Sequence, residues 1–270
     1  MDNPMEQAMN VRGAKLVYYS PTGSSRKIAE AVAGGVNKTH GSVDLTSPET
    51  KQGIVLKRDE LAVIAVPVYG GRVPVTAANR LKTVKGEGGP AVLVVVYGNR
   101  AFEDALLELK DIAVGQGFMP VAAAAFIGEH SFSTGETPVA RGRPDEADLM
   151  KAAAFGVDVK RKLGTITEVP DLSVPGNKPY KERSSPSEGM SPETDPATCN
   201  LCGACAQACP TGAVTVAEKV STVKQTCTRC TACVKACPTG ARAWAHPGIK
   251  KIATWLNTSF GDRKEPETFL

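Results

Sequence analysis

The stretch CTRCTACVKACPTGA, residues 227–241, decides how the carboxyl-terminal part of this chain is read. Nearly the same string, CNLCGACAQACPTGA, stands at 199–213, offset by 28 residues. Each is C-x2-C-x2-C-x3-C-P: Cys199, Cys202, Cys205 and Cys209 before Pro210, then Cys227, Cys230, Cys233 and Cys237 before Pro238. All eight cysteines of the chain lie in these strings, behind almost two hundred residues that contain none. A cubane iron–sulfur cluster needs four thiolates at tetrahedral corners, and two-residue gaps let a tight loop present three of them to one cube. Small residues such as Gly203, Ala204 and Ala232 let backbone amides approach the sulfides, and the proline ends the short turn carrying the fourth cysteine. The alternative is structural zinc. Zinc ribbons use paired C-x2-C knuckles and need neither the C-x3-C-P continuation nor a second copy.

The repeat resembles the bacterial two-cluster ferredoxins, in which the fourth cysteine of each run ligates the other cluster. The resemblance implies one 4Fe-4S cluster on Cys199, Cys202, Cys205 and Cys237, and a second on Cys227, Cys230, Cys233 and Cys209. Cys205 and Cys209 would then serve different clusters although four residues apart. Even a fully extended chain limits their Cα separation to roughly 14 Å, and a helical turn brings it to about 6 Å. So close a pair of clusters reads as a short wire.

The remainder is expected to be one α/β domain. Nearly continuous apolar runs at 14–20, 61–68, 91–98 and 120–128 read as buried strands. Stretches with helical spacing separate them at 24–36, 74–85 and 102–117, and 145–163 supplies a last helix. VDLT, 43–46, adds a short edge strand, with the helix after it reduced to a loop. Alternating strands and helices imply a doubly wound parallel sheet. The expected divisions are a flexible tail over 1–13, the sheet domain over 14–167, a Pro-rich linker over 168–198, the cysteine domain over 199–245, and a helix with tail over 246–270. In that last piece Pro247 suits a first turn, and Ile249, Ile252 and Leu256 share a face, with Trp255 beside them, that packs on the rest of the protein.

The first strand runs into SPTGSSRKIAE, 20–30, placing hydroxyls and a glycine just before a helix. Free amides and the positive helix end favour a phosphate there, although such a turn is also an ordinary helix cap. It is neither a Walker loop nor a G-x-G-x-x-G turn. It resembles the flavodoxin phosphate loop, with Ser20, Thr22, Gly23 and Ser25 in the pattern and Ser24 adding a hydroxyl. The resemblance covers about 150 residues and implies a flavodoxin-like fold of strand order 2-1-3-4-5, plus a small α+β ferredoxin-like domain. It also implies FMN, gripped by the loops after the third and fourth strands. Those loops hold Tyr69, Gly70, Gly71 and Arg72, and Tyr97, Gly98, Asn99 and Arg100. The tyrosines are candidates for stacking on the ring, and the arginines for favouring its reduced anion. His130, after the fifth strand, is a candidate proton donor. The plain alternatives are ordinary turns, solvated arginines and a structural histidine.

Taken whole, the chain looks like a flavodoxin-like domain fused to a two-cluster ferredoxin, a combination seen in anaerobes and archaea. The leading expectation is an electron-transfer protein linking a redox partner protein, two 4Fe-4S clusters and FMN. One alternative is a ferredoxin-fed flavin reductase acting on a quinone, nitro compound or enone. Another is a redox sensor, for which no output domain is visible. A homodimer is compatible with either redox reading, and NAD(P)H binding has no support. The net charge of +4 omits cofactors; clusters and a phosphate would cancel it, so nucleic-acid binding is not argued. No apolar run is long enough to span a bilayer, and MDNPMEQAMNVRGAK lacks a signal-peptide pattern. A reducing, cytoplasmic setting is expected, where cysteines hold metal rather than disulfides.

Overall fold

The computed structural model describes residues 11–36, 39–49, 53–166, 171–183 and 190–270. The first ten residues of the expected tail, the 167/168 boundary, Pro170 and Pro186 lie outside them, as does the side chain of His40.

The first domain runs β1 (Gly13–Tyr18), α1 (Ser24–Val36), β2 (Thr39–Asp44), β3 (Ile54–Leu56), β4 (Glu60–Pro67), α2 (Val75–Leu81), β5 (Val84–Gly86), β6 (Pro90–Tyr97), α3 (Ala105–Gly115), β7 (Met119–Ile127) and α4 (Glu146–Leu163). The cysteine segment adds β8 (Glu193–Thr194), α5 (Ala204–Gln207), β9 (Val214–Val216), β10 (Val220–Thr222), α6 (Ala232–Lys235) and β11 (Arg242–Ala243). The chain ends with α7 (Pro247–Ser259) and β12 (Glu267–Phe269).

The main sheet has the order β12-β7-β6-β4-β1-β2. Counting only the parallel strands in chain order, this is 2-1-3-4-5, the flavodoxin-like arrangement. Both faces are covered, so β4, β6 and β7 are buried along almost their whole length. Their side chains alternate between two cores. Leu93, Val95 and Tyr97 of β6 pack with α2 and α3. Val92, Val94 and Val96 pack with α1 and α4.

Three features depart from the expected pattern. The second helix stops at Leu81, because Val84–Gly86 pairs in parallel with β3 to make a two-stranded ribbon. The tail returns as β12 and pairs antiparallel with β7 through Ala123, Ala124 and Ala125, covering a sheet edge that would otherwise be open. On α7 the buried positions are Ile249, Ala253 and Leu256, while Ile252 and Trp255 are exposed.

The segment after α4 lies along the first domain wherever it is described. Leu172 is buried in the core beside α3. The amides of Asn177 and Lys181 donate to the Asp104 carboxylate at 2.9 and 2.6 Å. Arg183 donates to the Val73 carbonyl at 2.6 Å and pairs with Glu108.

Helices α1 and α4 cross at two glycines. A β-carbon on Gly35 would overlap the Ala153 carbonyl, and one on Gly156 the Val32 carbonyl. Both obstacles are backbone, so the helices would have to separate. We expect Gly156→Ala to cost about 1–3 kcal/mol through overpacking, read as a lower thermal midpoint.

Candidate functional site

The carboxyl ends of β1, β4, β6 and β7 converge where the strand order reverses, which is where doubly wound sheets bind ligands. A cavity of about 370 Å³ opens there, inside the ~300–1,000 Å³ range of small-molecule sites. A more open depression of about 680 Å³ beside Phe118, Met119 and Pro120 sits at the opposite end of β7, where Lys110 and Asp171 at its rim pair with each other at 3.4 Å.

The hydroxyl loop forms one end of the cavity, through Ser20, Thr22, Ser24 and Ser25. Ser20 is partly consumed as a cap: its Oγ accepts from the Arg26 amide at 3.0 Å. The Gly23 amide closes a turn on the Ser20 carbonyl at 3.1 Å, with Gly23 at φ +86°. Gly23 does not itself line the cavity; its backbone freedom shapes the turn. Among the described residues, the amides of Thr22, Ser24 and Ser25 have no protein acceptor. Arg26 is drawn away by Glu30 at 2.7 Å. The loop therefore offers hydroxyls, orphan amides and a helix start, a fit for a phosphate.

The two ring loops behave differently from each other. Tyr69-Gly70-Gly71-Arg72 is a tight hairpin whose end residues exchange both backbone hydrogen bonds, at 3.0 and 3.2 Å. Both glycines have positive φ, as a two-residue turn of this hand requires. Tyr69, Gly70 and Gly71 line the cavity. Burial, and then nearby Cys230, push the Tyr69 hydroxyl well above the usual phenol range.

Arg72 is not brought to the cavity. Only 9% exposed, it donates to Glu108 at 2.8 Å and to the Lys181 carbonyl at 2.5 Å, and stacks on Tyr180 at 4.6 Å. It anchors the segment after α4.

In the other loop, Tyr97, Gly98 and Arg100 border the cavity. The Tyr97 ring is 3% exposed and leans on Phe102 at 5.4 Å, so it is a wall within the core rather than an open stacking face. Asn99 also turns away. At φ 66° its Nδ2 donates to the carbonyls of Phe260 and Asp262 at 2.6 and 2.8 Å, pinning the chain after α7. Arg100 pairs with Glu103 at 2.8 Å.

His130 lines the cavity, packed so closely on Gly98 that a β-carbon there would strike its ring. Its Nδ1 accepts from the Phe132 amide at 3.0 Å, which leaves the neutral ring's proton on Nε2. Burial, with Arg100 adding to it, pushes its pKa down to about 4. At neutral pH it is therefore a hydrogen-bond donor and not a charged acid.

Five further lining residues come from the far end of the chain: Thr228, Arg229, Ile252, Trp255 and Leu256. Local motif reading misses them, because 228 and 229 read as spacers of a cysteine loop and 252–256 as a packing helix, and neither pattern points to the cavity at the strand ends. Thr231 docks this part on the first domain. Its Oγ1 donates to the Ser131 carbonyl at 2.5 Å and accepts from Trp244 Nε1 at 3.2 Å. Lys235 reaches Glu129 at 3.0 Å, and Arg80 donates to the Pro210 carbonyl at 2.7 Å.

All eight cysteines are free thiols. Cys209, Cys227, Cys230 and Cys233 line one small gap, and Cys199, Cys202, Cys205 and Cys237 line another. The fourth cysteine of each string thus faces the other string's three. Among the described residues no three such side chains close on a single-ion position; each set borders a space. The repeats share backbone geometry at equivalent positions: Leu201 and Arg229 both have φ 57°, Gly203 and Thr231 have 79° and 69°, and Gly212 and Gly240 have 64° and 69°. These turns aim amides inward, and the Ala213 amide donates to Cys209 Sγ at 3.2 Å. Burial pushes the Cys230 thiol up to about 11, and a metal centre is what would deprotonate it. Four thiols, inward amides and no disulfide fit an iron–sulfur cluster in each set.

Residues 198–241 match the family model described as a 4Fe-4S dicluster domain. The chain joins a flavodoxin-like sheet to a 4Fe-4S dicluster segment. Comparison with curated proteins returns no match. Among solved structures, a flavodoxin from the domain Archaea is similar over 56% of this chain and 97% of its own, at 14% identity and TM-score 0.36. The Streptococcus pneumoniae TIGR4 flavodoxin is similar over 55% and 98%, at 16% identity and TM-score 0.39. An NAD(P)H:quinone oxidoreductase from Methanothermobacter marburgensis is similar over 54% and 95%, at 12% identity and TM-score 0.32. The flavodoxin-like character of the first domain rests on its own strand order. No helix among the described residues, in the dicluster segment or elsewhere, is long and apolar enough to cross a membrane.

The buried neutral His130 carries a stability signature. Its folded pKa of about 4 lies below the ordinary 6.5, so the unfolded chain binds more protons between those values. Stability contributed by the neutral ring is present above pH 6.5 and is lost as pH falls toward 4, roughly 3 kcal/mol in all. The thermal midpoint should drop less between pH 7 and pH 5 in His130→Asn than in the parent protein.

Proposed function

We propose that this chain is an electron-transfer iron–sulfur flavoprotein, moving electrons between an external redox partner, two 4Fe-4S clusters and FMN. One observation carries the reading. Thr228 and Arg229 line both the cavity at the strand ends and the gap bounded by Cys209, Cys227, Cys230 and Cys233. The two sites share a wall.

The clusters supply one-electron chemistry, and FMN supplies an acceptor or donor of one or two electrons. The chain's own residues do the rest. Thr22, Ser24 and Ser25 hold the phosphate by hydroxyls and amides. The Gly70–Gly71 turn and Gly98 bring backbone up to the ring position. His130 presents Nε2–H as a neutral donor, and Arg100 keeps positive charge near it. Ile252 and Trp255, on α7, narrow the mouth and limit water.

The other cysteine set is turned outward. Cys202 is exposed, and Leu201 beside it is 43% exposed. An external carrier protein would meet the chain there, at the end away from the cavity.

Purified without oxygen, the full chain should hold about eight irons and one FMN. Cys202→Ser and Cys230→Ser should each disturb one cluster's spectrum and leave FMN bound. Zinc in place of iron, or a chain without flavin, would contradict the reading.

A further inference from the structure

Two buried hydroxyls beside Cys230 have nothing to bond. Tyr19 is 0% exposed, yet among the described residues its Oη has no hydrogen-bond partner. Thr228 Oγ1 is in the same condition. A buried hydroxyl left without a partner has lost its water and gained nothing in exchange. Two of them together imply an acceptor that the protein's own atoms do not provide.

Their placement says where that acceptor lies. Thr228 lines the gap formed by Cys209, Cys227, Cys230 and Cys233. Tyr19 follows β1 directly, its amide held on the Ala65 carbonyl at 3.0 Å. Arg80 sits over the Tyr19 ring at 6.0 Å and donates to the carbonyl of Pro210, the neighbour of Cys209. The tyrosine is thus wedged between the sheet and the cysteine set. Cys230 and Cys209 both lie close enough to bear on its hydroxyl. The two hydroxyls are neighbours, yet neither meets hydrogen-bond geometry with the other.

The second cysteine set has an unpartnered buried donor of a different kind, Arg242 Nε, which belongs to the dicluster segment itself. Its gap is lined by Thr194, Asn200, Leu201, Val220 and Arg242, and none of these is in the hydrogen bonds that dock the first set on the flavodoxin-like domain. The two sets share a local fold and differ in their neighbours.

Resting on the reading that each set holds a 4Fe-4S cluster, we infer that Tyr19 and Thr228 donate hydrogen bonds to the cluster held by Cys209, Cys227, Cys230 and Cys233 and raise its reduction potential. Donors to cluster or cysteinyl sulfur offset negative charge, so they favour the form that has gained an electron. The flavodoxin-like domain thereby tunes one cluster of the pair and leaves the other alone. Both are positioning residues; neither gains or loses an electron or proton.

The test is a potentiometric titration of the full, anaerobically reconstituted chain, followed by electron paramagnetic resonance, for the parent, Tyr19→Phe and Thr228→Val. The first deletes the hydroxyl and the second replaces it with a methyl of similar size, so both nearly keep shape. The expected result is one midpoint shifted to more negative potential in each variant, the other midpoint unchanged, and iron and flavin contents equal to the parent. Unchanged midpoints with full iron would overturn the inference and leave the electron-transfer reading intact. Loss of the cluster from both variants would also overturn it, because a donor that only tunes potential is not needed to hold iron. A parent protein that takes up no iron would instead remove the reading on which the inference rests.

Discussion

The hydrogen bond from Thr231 Oγ1 to the Ser131 carbonyl ties the first turn of α6 to the loop after β7. Threonine is poorly suited to the left-handed backbone it adopts there, and the equivalent position in the first repeat is Gly203. The strain is offset because the same hydroxyl also receives Trp244, whose ring meets Phe132 edge-on at 5.1 Å. Once Thr231 is held, Thr228 and Arg229 come to lie over the strand ends, and the flavodoxin-like cavity acquires a wall made by the dicluster segment. The tail completes the clamp: Asn257 bonds the Pro138 carbonyl, Asn99 bonds the chain after α7, and β12 joins the sheet edge.

How much of this was legible in the sequence depends on whether the deciding contacts are local. The central strands are legible because a parallel strand buried on both faces is a continuous apolar run. The cysteine spacing is legible because a ligand loop is a local object. β12 is not, since Glu-Thr-Phe has no pattern of its own and pairs only because β7 offers an edge. Nor is the short ribbon of β3 and β5, which cuts the second helix at Leu81.

The site shows the same division. The hydroxyl loop is one turn, and its members arrive together. Arg72 and Asn99 stand beside cavity residues in sequence but are turned elsewhere, one by the hairpin and a buried carboxylate, the other by its left-handed backbone. Trp255 reads as an apolar helix residue, yet it stands 50% exposed at the cavity mouth because α7 buries Ala253 instead. Arg229 occupies the place of Leu201 in the repeat. Only the docking distinguishes a cation facing the cavity from an apolar side chain facing solvent.

An internal repeat placed against one domain cannot stay symmetric. One cysteine set is held against the flavodoxin-like domain through Thr231 and Pro210, and the other keeps Cys202 at the surface. This gives the molecule an inner and an outer end. The most direct test is an anomalous map at the iron edge, from crystals of the full chain grown without oxygen in the presence of FMN. The account predicts flavin density in the cavity at the strand ends and iron among Cys209, Cys227, Cys230 and Cys233, with Thr228 between them. Flavin bound away from that cavity, or iron shared by Cys199, Cys202, Cys205 and Cys209 instead, would contradict it.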